Sequence, residues 1–213
     1  MKGLFISGSN TDVGKTFIAC HIIQAINVKY HVVARKPLES DCKAGLEGLT
    51  TKDAQLLNQA CDHPEPINNV CQFRFEACVS GEKALTDQGE VLSLSALVEA
   101  SKPTQESDFV VVEGAGGFYS PIATGVLNSD LAIALKLPIV LVVKDELGAV
   151  SQALLCIRAA KSAGLEIAML VLNQVFPNEL DNEKALNAYT DVKILSFCNN
   201  NISDFYKKIV ALI

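Results

Sequence analysis

Three short runs of the sequence are almost entirely apolar: DFVVVEG at 108–114, PIVLVVK at 138–144 and IAMLVLN at 167–173. Such runs lack the alternation of a strand with one face in water, and they are typical of parallel strands that are buried on both faces. Segments of helical period separate the strand-like runs along the chain. The pattern predicts an α/β fold with a doubly wound, mostly parallel sheet and helices on both faces.

Further elements complete this prediction. Strands are expected at 3–7 and 31–36, and helices are expected at 15–27, at 51–60 and near 92–101. Residues 61–90 carry mixed signals and receive no assignment. A chain of 213 residues can bury one sizeable core, so a single domain over 1–213 is expected.

Composition excludes several classes of protein. Lys and Arg number 18 against 24 Asp and Glu, and the net charge of −6 argues against a nucleic-acid-binding surface. No apolar run approaches membrane-spanning length, and the first residues do not form a signal peptide, so we expect a cytoplasmic protein without membrane contact. The seven cysteines include no C-x-x-C pair, which fits neither a disulfide framework nor a zinc site.

The segment GSNTDVGKT at 8–16 follows the first strand and opens the first helix, as a phosphate-binding loop does. Its backbone N–H groups and the helix N-terminus would face an anion together. Lys15 would place a positive charge between the terminal phosphates of ATP, and the hydroxyl of Thr16 would reach a bridging Mg²⁺. Five residues separate Gly8 from Gly14, whereas the usual motif has four. A tight turn with an incidental lysine is the alternative.

Two charged residues are expected at the same sheet edge as Lys15. Glu113 ends a buried strand ahead of a glycine-rich turn, where its carboxylate would either ligate a metal or remain solvated. Lys36 ends the second strand ahead of a proline, and two ammonium groups at one edge suit a doubly anionic reaction centre.

Two polar residues follow Lys36 in sequence. Ser40 is within reach of the site as a hydrogen-bond donor. Asp53 lies at the start of the helix expected at 51–60, and taken alone its charge only complements the helix dipole.

In order along the chain, GSNTDVGKT, the lysine of RKP, the aspartate of TTKDA, VVVEGAGG and LGAVSQALL resemble the dethiobiotin synthetase family, whose fold is that of P-loop NTPases. The resemblance covers nearly the whole chain and is weakest at 61–90 and after about residue 174. The lengthened loop and VEGAGG are its most specific parts. In that family the residues ahead of Val13 serve the second substrate as well as the phosphates, which accounts for the extra loop residue.

The resemblance implies a homodimeric ligase that depends on ATP and Mg²⁺ and acts in biotin synthesis. It would close the ureido ring of dethiobiotin from 7,8-diaminopelargonic acid and carbon dioxide, through a carbamate and a mixed carbamic-phosphoric anhydride. This path needs no covalent enzyme nucleophile, and the sequence offers no clear Cys/His or Ser/His arrangement. Catalysis would consist of positioning and charge neutralisation.

The resemblance also implies residue roles. The catalytic positions are Lys15, Lys36, Thr11 and Ser40. The nucleotide-binding positions are Asp12, Val13, Gly14, Lys15, Thr16, Phe17, Glu113, Gly116 and Asn173, the last of which would contact the adenine. The Mg²⁺ positions are Thr16, Asp53 and Glu113. The substrate carboxylate would bind, across a twofold interface, to backbone groups of Gly148, Ala149, Val150 and Ser151.

The chain departs from the family pattern at three places. Asp41 replaces a glycine, Ser151 and Gln152 replace asparagine and histidine, and ILSFCNNN at 194–201 replaces a G-x-I-P segment beside the base, which leaves the nucleotide preference open. Three alternatives remain: a partition or metal-insertion ATPase, a glutamine-dependent amidotransferase, and a nucleotide-binding protein without catalysis. The first normally carries a lysine early in the loop, where this chain has Ser9 and Asn10.

Overall fold

The structure is a computed structural model that describes residues 1–46 and 48–213. The strands are β1 (Lys2–Gly8), β2 (Val32–Arg35), β3 (Leu38–Glu39), β4 (Lys43–Gly45), β5 (Gly48–Thr50), β6 (Phe73–Arg74), β7 (Phe109–Glu113), β8 (Pro121–Ala123), β9 (Val126–Leu127), β10 (Ile139–Lys144), β11 (Ile167–Asn173) and β12 (Ile194–Phe197). The helices are α1 (Lys15–Ile26), α2 (Asp53–Ala60), α3 (Ile67–Val70), α4 (Gly81–Gln88), α5 (Leu94–Ala100), α6 (Asn128–Leu135), α7 (Ala149–Ser162), α8 (Asn182–Asn187) and α9 (Ile202–Leu212), with a 3₁₀ turn at Asn199–Asn201.

Six strands form one sheet in the order β12-β11-β10-β1-β7-β2, and every neighbouring pair in it is parallel. The strands β7 and β2 lie on one side of β1, and β10, β11 and β12 lie on the other, so the chain winds outward in both directions. In such sheets ligands bind beyond the carboxyl ends of the central strands. The predicted doubly wound parallel sheet is confirmed.

Alternate residues of the central strands supply two separate cores. In β1, Phe5 packs into the core beneath helices α4 to α8, whereas Leu4 and Ile6 pack into the core beneath α1, α2, α3 and α9. The same alternation continues in β10 and β11. Helices therefore cover both faces of the sheet, which is why these strands carry almost no polar residues.

The structure also forms elements that the sequence patterns did not resolve. Residues 61–90 contain α3, β6 and α4, and β6 pairs with β3 in a small separate sheet. The four-residue β12 was not predicted, although it forms an edge of the main sheet. Among the described residues, no helix is both long and apolar enough to cross a bilayer.

Candidate active site

The phosphate loop, residues 8–16, connects the carboxyl end of β1 to the first turn of α1. Gly14 has φ of 90°, and a Cβ atom there would lie 2.1 Å from Nδ2 of Asn173. That Nδ2 donates a hydrogen bond of 3.0 Å to the carbonyl oxygen of Val13. Only glycine fits this position, because the loop backbone lies directly against the end of β11.

The ammonium of Lys15 lies over the phosphate loop. Its Nζ donates a hydrogen bond of 2.9 Å to the carbonyl oxygen of Asn10, a neutral group. Burial lowers the pKa of Lys15 to about 8, an effect that the Glu113 carboxylate opposes and the nearby Lys36 ammonium reinforces. The loop thus holds a buried cation whose charge a bound phosphate would stabilise.

Beside the loop, Lys36, Asp53 and Glu113 form a group that we call the lysine–carboxylate cluster. Nζ of Lys36 lies 3.1 Å from Oδ2 of Asp53 and also donates to Oε1 of Glu113. The hydroxyl of Thr16 donates a 2.9 Å hydrogen bond to the same Oε1 of Glu113. Four elements meet here, because Lys36 directly follows β2, Glu113 ends β7, and Thr16 and Asp53 lie at the starts of α1 and α2.

The cluster residues shift one another's ionisation. Burial disfavours the charge on Lys36, but the carboxylates of Glu113 and Asp53 outweigh burial and raise the pKa of Lys36. Burial opposes the charge on Asp53 as well, yet the Lys36 ammonium lowers the Asp53 pKa. Burial raises the pKa of Glu113, and the Lys36 ammonium counteracts it. Each charge in the cluster depends on its partners.

The donor set of the cluster fits a divalent cation. Oε2 of Glu113 is buried and has no hydrogen-bond partner among the described residues. Glu113 Oε1 and Asp53 Oδ2 both contact the same ammonium, so a cation already lies between the two carboxylates. Carboxylate oxygens with a threonine hydroxyl are the hard ligands that Mg²⁺ prefers.

The remaining predicted residues lie around these two groups. Asp12 and Thr11 are exposed on the phosphate loop, and Gly116, with φ of 72°, brings its turn toward Oγ1 of Thr11. Phe17 is exposed in the first turn of α1 and packs edge-on against Phe197, with ring centroids 5.3 Å apart. Ser40 is half-buried and directly follows β3.

The segment predicted to bind the substrate carboxylate lies at the N-terminus of α7. Gly148 precedes the helix with φ of 95°, Ala149 is buried, Val150 is half-buried and Ser151 is exposed. Oγ of Ser9 donates a 3.0 Å hydrogen bond to Oε1 of Gln152. This contact joins the phosphate loop to the first turn of α7.

Sequence reasoning missed several residues that support the site. Asn128 is fully buried, and its Nδ2 donates to the carbonyl oxygen of Gly117 at 3.2 Å. A Cβ atom on Gly114 would lie 2.2 Å from Oδ1 of Asn128, so the turn after β7 packs closely on this side chain. Glu39 accepts three backbone hydrogen bonds at the start of α2. Lys52, the residue just before α2, makes no capping hydrogen bond to a described residue.

Comparison with known proteins gives relatives over the full chain. A family model described as an AAA domain matches residues 2–202. The ATP-dependent dethiobiotin synthetase BioD of Ruthia magnifica subsp. Calyptogena magnifica is 50% identical over 213 residues, which cover 100% of this chain and 99% of the relative. A second such synthetase, from Vesicomyosocius okutanii subsp. Calyptogena okutanii, is also 50% identical and is covered over 97% of its length.

A solved structure shares the fold at much lower identity. The septum site-determining protein MinD of Pyrococcus horikoshii, complexed with Mg-ADP, has a TM-score of 0.57 and 15% identity, over 98% of this chain and 86% of that chain. An identity this low shows a common fold and nothing further.

Proposed function

The chain belongs to the ATP-dependent dethiobiotin synthetase family, and from this premise we propose that it uses ATP to form dethiobiotin in biotin biosynthesis. The substrates are 7,8-diaminopelargonic acid and carbon dioxide, which supply the two nitrogens and the carbonyl carbon of the ureido ring. The observation that carries the proposal is the convergence of Lys15, Lys36 and Glu113 at one sheet edge.

The reaction divides into three steps. One amine of the substrate adds to carbon dioxide and loses a proton, which gives a carbamate. A carbamate oxygen attacks the γ-phosphorus of ATP, the bond to the bridging oxygen breaks, and ADP leaves. The second amine attacks the carbonyl carbon of the carbamic-phosphoric anhydride and loses a proton, phosphate leaves, and the five-membered ring closes.

The two lysines neutralise the negative charge of this reaction. Lys15 lies over the phosphate loop and would contact the phosphates of ATP, while Lys36 would contact the carbamate oxygens and the transferring phosphoryl group. Buried cations stabilise such charge more strongly than water does, because they are held in position before the reaction. Thr11 and Ser40 would donate hydrogen bonds to the diamine or its carbamate.

The residues that would hold Mg²⁺ are Thr16, Asp53 and Glu113. Oε2 of Glu113, which has no hydrogen-bond partner in the described part of the chain, supports this assignment. When bound, Mg²⁺ would supply further neutralisation of the phosphate oxygens of ATP. Lys36 shares Asp53 and Glu113 with that site, so its position follows that of the two carboxylates.

We further propose how the rest of the site binds its ligands. The phosphate loop with Asp12, Val13, Gly14, Phe17 and Gly116 surrounds the nucleotide, and Asn173 contacts the adenine. The first turn of α7 binds the substrate carboxylate of the partner in a homodimer, since a helix N-terminus suits an anion. The chain would act as one domain over 1–213 in the cytoplasm.

One experiment tests the function directly. The protein is incubated with 7,8-diaminopelargonic acid, bicarbonate, Mg²⁺ and either ATP or another nucleoside triphosphate, and phosphate release and product mass are followed. We expect phosphate release only with the diamine, together with a product of the mass of dethiobiotin. Phosphate release that is independent of the diamine would instead favour an ATPase without ligase activity.

A further inference from the structure

A buried glutamate that has no place in the roles above holds the start of helix α2. Glu39 is the last residue of β3 and is 5% exposed. Its Oε1 accepts hydrogen bonds from the backbone N–H groups of Lys52 at 2.7 Å and Asp53 at 2.9 Å, and its Oε2 accepts from that of Ala54 at 2.9 Å. The carboxylate therefore binds three successive N–H groups at once.

These three N–H groups are ones that the helix itself leaves without partners. The first N–H groups of any α-helix lack an acceptor within the helix, and a side chain just before the helix usually supplies one. In α2 the residue at that position is Lys52, which makes no capping hydrogen bond. Glu39, which precedes the helix by more than a dozen residues in sequence, takes over this function with a full negative charge.

The backbone of Glu39 is itself fixed by hydrogen bonds to a neighbouring segment. The strand β3 pairs with β6, where Glu39 lies opposite Arg74. The N–H group of Phe75 donates a 2.9 Å hydrogen bond to the carbonyl oxygen of Glu39. The position of the start of α2 is thereby fixed relative to β3, the strand that follows Lys36 and Pro37 in the chain.

Asp53 connects this anchor to the lysine–carboxylate cluster. It is the first residue of α2, its backbone N–H binds Glu39, and its Oδ2 lies 3.1 Å from Nζ of Lys36. A shift of the first turn of α2 would move the Asp53 carboxylate relative to Glu113. We propose that Glu39 is a positioning residue that sets the place of the Asp53 carboxylate for the divalent cation.

This inference rests on the proposed function, in which Asp53 and Glu113 hold Mg²⁺. Partners behind metal ligands commonly change metal affinity by roughly 10- to 100-fold when they are removed. A carboxylate that only stabilised the fold would change the melting temperature without changing metal affinity. The two roles therefore separate in a direct measurement of metal binding.

The test uses Mn²⁺ as the probe, titrated into the full-length protein in the presence of ADP, with binding measured by the relaxation rate of water protons. Glu39→Gln retains the size of the side chain but replaces one acceptor oxygen with an NH₂ group that faces the helix N–H groups. We expect its Mn²⁺ dissociation constant to rise about tenfold. Glu39→Asp keeps the charge but shortens the reach, and an intermediate rise is expected.

Ser93→Ala is the matched control. Ser93 caps α5 by accepting from the N–H group of Ala96 at 3.2 Å, and α5 packs on the opposite face of the sheet from α2. We expect this variant to lower the melting temperature and to bind Mn²⁺ like the wild type. Its result shows whether the loss of a helix cap elsewhere in the fold is enough to weaken metal binding.

The outcomes are distinct. Wild-type Mn²⁺ affinity in both Glu39 variants would overturn the positioning role and leave the proposed function intact. If Glu39→Gln does not fold, Glu39→Asp decides the question in the same way. A wild-type protein that binds no Mn²⁺ beyond that held by free ADP would overturn the proposed cation site, and the role of Glu39 with it.

Discussion

The phosphate loop and the lysine–carboxylate cluster meet at one edge of the sheet, but their lysines are stabilised differently. Lys15 contacts a neutral carbonyl, and burial lowers its pKa to about 8. Lys36 is buried too, yet Glu113 and Asp53 raise its pKa. An anion bound at the loop would therefore stabilise the charge on Lys15, whereas the charge on Lys36 already has two carboxylate partners before any ligand binds.

The two regions also differ in how far apart in sequence their residues lie. The phosphate loop is a local structure in which nine consecutive residues supply the bend, the lysine and the helix N-terminus. The cluster is assembled from the residue that follows β2, the first residue of α2 and the last residue of β7, which are far apart in sequence. We therefore expect damage to the loop to weaken phosphate binding, and loss of Lys36 from the cluster to lower turnover at nearly unchanged nucleotide affinity.

The largest expected effect breaks the cluster. Lys36→Gln removes a cation that contacts the transferring group, so turnover should fall about a hundredfold or more. ATP affinity should stay near that of the wild type, because the loop is untouched. Steady-state rates and equilibrium binding of ATP measure the two quantities. Lys161→Gln, which breaks an exposed ion pair with Asp191 on the surface, is the control and should leave both unchanged.

A wild-type rate in Lys36→Gln would remove this lysine from the mechanism. Equal losses of ATP affinity and turnover would instead mean that the cluster and the phosphate loop do not act separately, contrary to the comparison.

The next effect breaks the loop. Gly14→Ala adds a Cβ atom that meets Asn173, so the loop must move, and the affinity for tripolyphosphate should fall roughly tenfold, which corresponds to about 1.4 kcal/mol. Isothermal titration measures that affinity. Gly125→Ala, at φ of 68° and with no atom of the described residues within 4 Å of the added Cβ, carries the same backbone strain without the overlap. Unchanged tripolyphosphate binding in Gly14→Ala would contradict the expected close fit.

Asn173 provides a further test of the phosphate loop, because it contacts the loop from the end of β11. Asn173→Ala removes the hydrogen bond to Val13, and its loss of about 1 kcal/mol should weaken tripolyphosphate binding about fivefold. The probe has no base, so a role of Asn173 in adenine contact alone predicts no change with it. Comparison of tripolyphosphate with ATP by titration separates the two roles.

The smallest expected effect is the uptake of a proton by Lys15 when ATP binds. At pH 8 the ammonium of Lys15, with a pKa of about 8, is close to half charged, and a bound phosphate raises that pKa. Binding of metal-free ATP should therefore cause Lys15 to take up as much as about half a proton at pH 8, and almost none at pH 6.5, where this lysine is already charged. Titration in buffers of different ionisation enthalpy measures the uptake.

Lys15→Arg is the control for this measurement, since an arginine stays charged throughout the range. Proton uptake at pH 8 should disappear in that variant. The same uptake in the variant as in the wild type would assign the proton to another group and remove the proposed contrast between Lys15 and Lys36.

The sequence predicted the regions whose structure is local. Buried parallel strands, the strand-to-helix loop and the position of Glu113 at a strand end follow from short-range pattern, and the sheet confirms that architecture. Asp53 was different, because its position at a helix start accounts for an acidic residue by itself. Only its contact with Lys36 brings it into the cluster.

The amino-acid sequence by itself determined the alternation of strands and helices, the glycine-bearing loop and the family. Only the tertiary structure decided which distant residues support them: Asn173 against Val13, Asn128 against Gly117, and Glu39 against the start of α2. The periodicity of the sequence predicts whether a side chain is buried. The partner of a buried polar group depends instead on how strands and helices pack. For this reason the supporting contacts of the site could be found only after the chain was folded.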